Sequence, residues 1–93
     1  MAENKRVHVI IGGRVQGVFF RMETQRAAES YQINGWVKNR PDGRVEAVFE
    51  GDSDQVGRMI QWCWKGSPMS RVDGVDITEE AYTGDFSDFK ITY

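Results

Sequence analysis

A chain of 93 residues, 40% of them hydrophobic, suffices for one modest core and argues against disorder. The formal charge of −2 and an isoelectric point near 5.3 provide no long-range attraction to nucleic acid or anionic lipid, so any anion must be captured locally. A single cysteine, Cys63, excludes an intrachain disulfide; a single histidine, His8, speaks against a metal centre or nucleophilic triad; and no apolar run nears the roughly 20 residues that span a bilayer.

The start, Met1 to Arg6, is polar and lacks the apolar segment of a secretory leader, so a cytoplasmic protein is expected. Residues 6–12 read as a strand, with Val7, Val9 and Ile11 on one face and His8 and Ile10 on the other. His8 is expected to be a strand residue with one ring nitrogen hydrogen-bonded. Residues 13–20 form a loop, and residues 21–33 a helix whose buried face carries Phe20, Thr24, Ala27, Ala28 and Tyr31. Asn34-Gly35 is the expected helix stop.

Strand, glycine-bearing loop and helix together make an anion site. Glycine permits positive φ and close approach of the backbone. Amides at a helix start lack intrahelical partners, and the helix dipole favours negative charge there. Arg21 adds a planar guanidinium suited to phosphate oxygens. The dipole opposes a cation at that position, a cost that a bound anion offsets; an ordinary surface arginine is the alternative. Gly12 to Gly17 has the glycine spacing of a nucleotide P-loop, but Val18 and Phe19 stand where lysine and a hydroxyl residue are needed, and the dinucleotide pattern is also missing.

Residues 36–40 read as a short strand, Pro41-Asp42-Gly43 as a turn, and residues 44–51 as its half-buried antiparallel partner. Asn39 and the arginines at 14, 40 and 44 read, from spacing alone, as turn chemistry and solvated charge. Asp52-Ser53-Asp54 offers helix caps before the stripe Val56, Met59, Ile60 and Cys63. Cys63 is expected to be buried and inert, Trp62 and Trp64 to edge the core against the sheet, and Gly66 to stop the helix. Residues 72–82 and 86–93 read as strands, with Val75 and Ile77, then Phe89 and Ile91, facing inward. The order predicts an α+β, ferredoxin-like βαββαβ sandwich: an antiparallel sheet with two helices on one face and an extra C-terminal strand, in one domain, residues 1–93.

The run from Gly13 to Arg21 closely resembles the first signature of the acylphosphatase family, and Gly35-Trp36-Val37-Lys38-Asn39 resembles its second. Gly43-Arg44-Val45-Glu46 and Gly66-Ser67-Pro68 are similar to further family segments, in the expected order. The resemblance implies the ferredoxin-like fold and hydrolysis of the carboxyl–phosphate bond of acyl phosphates, with no metal and no cofactor. By position it implies Arg21 and Asn39 as catalytic residues and residues 14–20 as the substrate loop. Val15, Gln16, Gly17, Val18, Phe19, Phe20 and Arg21 are then the expected phosphate-binding residues. The likeness extends to domains that begin large carbamoyl-transfer maturation proteins; a chain stopping at Tyr93 leads us to expect the free-standing enzyme, a monomer. Its partner is expected to be a small acyl phosphate, not nucleic acid and not a membrane. Two other classes compete: a binding module with the same cradle and no turnover, and an RNA-binding domain. The second needs exposed aromatics and a basic face, whereas the first strand has no aromatic ring and the third carries Glu46 and Glu50.

Overall fold

Alternation of apolar side chains builds the centre of the sheet. In the computed structural model, which describes residues 3–93, β1 (Asn4–Arg14) buries Val7, Val9 and Ile11 on one face. Met1 and Ala2, part of the polar start considered above, lie outside the described residues. β1 pairs antiparallel with β3 (Val45–Asp52), setting Val7 opposite Phe49, Val9 opposite Ala47 and Ile11 opposite Val45. The register therefore superposes the two apolar faces. On its other side β1 pairs antiparallel with β4 (Arg71–Glu80), where Val75 and Ile77 meet Ile11 and Val9; Val75 is half-buried, but Ile77, expected inward, is 46% exposed because β4 is an edge strand.

The pairing of β1 with β4 shifts at Gly12/Gly13. Gly13 has φ of 119°, and a Cβ there would lie 2.1 Å from the Arg71 carbonyl oxygen. Only glycine allows the bulge by which the chain leaves the sheet.

α1 (Phe20–Ser30) buries Phe20, Thr24 and Ala28. It stops three residues before the predicted end, because Gln32 turns left-handed at φ of 58°. That turn puts Ile33 into the core, 1% exposed, and makes Asn34-Gly35 the start of β2 (Asn34–Asn39), not the helix stop. β2 pairs antiparallel with β3 through the predicted turn. α2 (Ser53–Lys65) is capped by Asp52, whose carboxylate accepts from the Asp54 and Gln55 amides, and buries Val56, Met59 and Cys63. Burial pushes the Cys63 thiol pKa well up, as expected of an inert core cysteine. Trp62 packs its ring 5.5 Å from Phe20, but Trp64 is 52% exposed and edges no core. Residues two apart on a helix point about 200° apart, so both indoles cannot face the sheet.

β5 (Phe89–Ile91) is shorter than the predicted 86–93 and pairs parallel with β2, so the strand order is β4-β1-β3-β2-β5 and the sheet is mixed, with an antiparallel four-stranded body and one parallel edge. Parallel pairing follows from connectivity. β4 and β5 lie at opposite edges, and residues 81–88 join them. Glu50 on β3 holds that connection: its carboxylate accepts from the Thr83 amide and hydroxyl at 3.0 and 2.9 Å and from the Gly84 amide at 3.2 Å, with Arg6 at 3.3 Å. Glu50 is thereby 2% exposed, and Val48, between His8 and Trp36 on the neighbouring strands, is also 2% exposed. β3 is accordingly more buried than its alternation predicts. α1 packs over β2 and β5, and α2 over β1, β3 and β4, leaving the loop between β1 and α1 at the end of the sheet. Among the described residues no helix is long and apolar enough to cross a membrane.

Candidate active site

Residues 15–19 bridge the end of β1 and the start of α1, and their burial alternates for a reason. Val15 and Val18 are buried, 1% and 5% exposed, and anchor the loop in the core. Gly17 and Phe19 take positive φ, 74° and 60°, and turn the chain between and after these anchors. Phe19 caps α1 with no side-chain bond and stands 71% exposed. A left-handed conformation costs a residue other than glycine roughly 1–2 kcal/mol, and such strain concentrates at ligand sites.

Two side-chain bonds hold the loop. Gln16 Nε2 donates to the Arg40 and Arg44 carbonyls at 2.8 and 2.9 Å, fastening the loop to the β2–β3 turn. Buried Ser67 donates its hydroxyl to the Val18 carbonyl at 2.8 Å. Among the described residues, none of the backbone amides of residues 15–20 donates to another protein group. A row of such donors at a helix start is an anion site in waiting.

Arg21 and Asn39 line one open cleft of about 540 Å³ with Val15, Gly17 and Phe20. Arg21 lies in the first turn of α1; its guanidinium donates to the Thr92 carbonyl at 3.5 Å and covers the Tyr93 ring at 4.9 Å. The face of a tyrosine ring and a carbonyl oxygen offset its unfavourable place at the helix start without neutralising it. Asn39 ends β2, and its Oδ1 is buried with no hydrogen-bond partner among the described residues. An orphaned buried acceptor is costly.

The other candidates lie elsewhere. His8 Nε2 is 2.6 Å from Glu46, whose carboxyl pKa is held below its ordinary value chiefly by that bond. Arg40 and Arg44 both pair with Asp42, at 3.1 and 2.8 Å, and Arg40 also with Glu46. The arginines of this turn hold the hairpin together and leave Arg21 as the guanidinium in the cleft. The spacing of residues did not single out Gln25, Ile91 or Tyr93, which also line it. Gln25 donates to the Phe89 carbonyl at 3.0 Å, so it docks β5 against α1. Only the pairing of β5 with β2 brings Ile91 and Tyr93 to this wall; the pattern of residues 86–93 announced a strand but not its partner.

The acylphosphatase family profile matches residues 7–91. An acylphosphatase of Syntrophobacter fumaroxidans is 59% identical over 91 residues, covering 98% of this chain and 94% of that protein. One of Syntrophus aciditrophicus is 55% identical over 89 residues, covering 96% and 93%. The crystal structure of acylphosphatase from Bacillus subtilis superposes with a TM-score of 0.92 at 38% identity, covering 96% of this chain and 99% of that one.

Proposed function

The chain belongs to the acylphosphatase family, and from that premise we propose how its cleft carries out the hydrolysis. The activity is cleavage of the carboxyl–phosphate bond of acyl phosphates to carboxylate and inorganic phosphate. The leaving carboxylate belongs to an acid with a pKa of about 4, so no general acid is required. What remains is to hold the phosphoryl group, balance its charge and aim water in line.

The backbone amides of Val15, Gln16, Gly17, Val18, Phe19 and Phe20 donate to the phosphoryl oxygens. Arg21 neutralises their charge from the first turn of α1. The Asn39 carboxamide hydrogen-bonds the water and turns its lone pair toward phosphorus. The water oxygen bonds to phosphorus as the bridging P–O bond breaks; its electron pair departs with the carboxylate, and the water proton passes to a phosphoryl oxygen. The observation that carries this proposal is the shared cleft of Arg21 and Asn39.

The same proposal makes the protein a cytoplasmic monomer of one domain, residues 1–93, acting without metal or cofactor, since a leaving carboxylate needs no Lewis acid. Phosphate release from acetyl phosphate, beside a phosphate monoester and with and without EDTA, tests it. Selective release that survives the chelator is expected. Equal release from the monoester, or loss of activity with EDTA, overturns the assignment of roles.

A further inference from the structure

A second groove, of about 210 Å³, adjoins the cleft and is lined by Val18, Phe19, Met22, Glu23, Pro68 and Met69. Phe19 and Met22 are walls of both. Phe19, Met22 and Met69 are 71%, 44% and 66% exposed, so large apolar side chains stand in solvent around one depression. None of the three belongs to the core. The placement has a stereochemical consequence. In an in-line displacement the attacking water and the departing oxygen lie on opposite sides of phosphorus. Asn39 closes β2, whereas Pro68 and Met69 lead into β4, and the sheet order sets β3 and β1 between those strands. The groove therefore lies across the phosphate loop from the residue proposed to hold the water.

Taking acyl-phosphate hydrolysis in the cleft as premise, we infer that this groove receives the acyl group, and that Phe19, Met22 and Met69 select apolar acyl groups, aromatic ones foremost. A dry apolar cavity of about 150 Å³ holds a benzene ring, so the groove has room for one. Methionine side chains adapt to a planar ring and make favourable sulfur–aromatic contacts.

The test is the ratio of kcat/KM for benzoyl phosphate to that for acetyl phosphate, in the full chain and in Met69→Gln and Met69→Leu. Acetyl is too short to leave the shared wall, whereas a phenyl ring reaches Met69. The ratio is expected to fall about fivefold or more in Met69→Gln, chiefly through KM for benzoyl phosphate, and to recover in Met69→Leu. An unchanged ratio, or an equal loss on both substrates, overturns the inference. Absence of turnover of both substrates by the unaltered chain is a distinct result and overturns the acyl-phosphate premise instead.

Discussion

Arg21 and Asn39 are 18 residues apart in the chain and share one cleft. Their proposed roles separate experimentally. Arg21→Ala is expected to abolish phosphate binding by calorimetry and lower kcat/KM by about 10²–10³, the scale of removing one donor to a developing anion. Asn39→Ala is expected to lose turnover by a similar factor while still binding inorganic phosphate, since a misplaced water affects only the reaction. Loss of phosphate binding in Asn39→Ala would contradict that role. Arg21 was legible as an anion-site candidate from its place after the glycine-bearing loop, with an ordinary surface arginine as the alternative, whereas Asn39 was legible only through the family's signatures. Spacing alone read Asn39 as turn chemistry, because an asparagine before Pro-Asp-Gly looks the same whether its amide faces solvent or a cleft. The place of Asn39 in the wall of the cleft distinguishes the two, and that place is a property of the folded chain.

The loop between β1 and α1 works because it is tied on both sides. Gln16 fastens it to the turn that follows Asn39, and Ser67 fastens it to the segment after α2. Gln16→Leu keeps the backbone amides yet frees the turn, so kcat is expected to fall about tenfold to a hundredfold with little change in the phosphate Kd. A weakened Kd with unchanged kcat would place Gln16 in binding alone. Gly13 acts one step earlier, at the bulge. Gly13→Ala drives a Cβ to 2.1 Å from the Arg71 carbonyl oxygen at φ of 119°, and urea denaturation is expected to show a loss of about 2–4 kcal/mol. The loop and both helices were readable as elements. The end of α1 was not, because Ile33 is drawn into the core by Gln32's left-handed turn, a preference set by packing.

Across the whole molecule, Glu50 holds the connection that carries the chain from one sheet edge to the other. Burial raises its carboxyl pKa, but the hydrogen bonds from Thr83 and Arg6 outweigh burial and leave it below the ordinary value. Glu46 is held low by His8. A carboxylate whose pKa is depressed on folding contributes stability above the unfolded value, and that contribution disappears as pH falls through the folded value. The contribution of these two carboxylates is therefore expected to be lost as pH falls below the unperturbed carboxyl value of 4.5, measured by urea midpoints. Glu50→Gln is expected to cost about 1–3 kcal/mol at pH 7 and to shallow the acid decline. An acid decline as steep as in the unaltered chain would remove Glu50 from the linkage.

Local pattern was enough to establish the order of strands and helices, the antiparallel body of the sheet, the core face of β1 and α2, and a glycine-bearing loop facing a helix start. These follow from periodicity and turn chemistry, which act over a few neighbouring residues. The parallel seat of β5, the burial of Glu50, the exposure of Trp64 and the meeting of Asn39, Tyr93 and Arg21 arose from long-range pairing. Contacts between residues distant in the chain depend on register and on which edge a strand occupies, and no short stretch of residues encodes either.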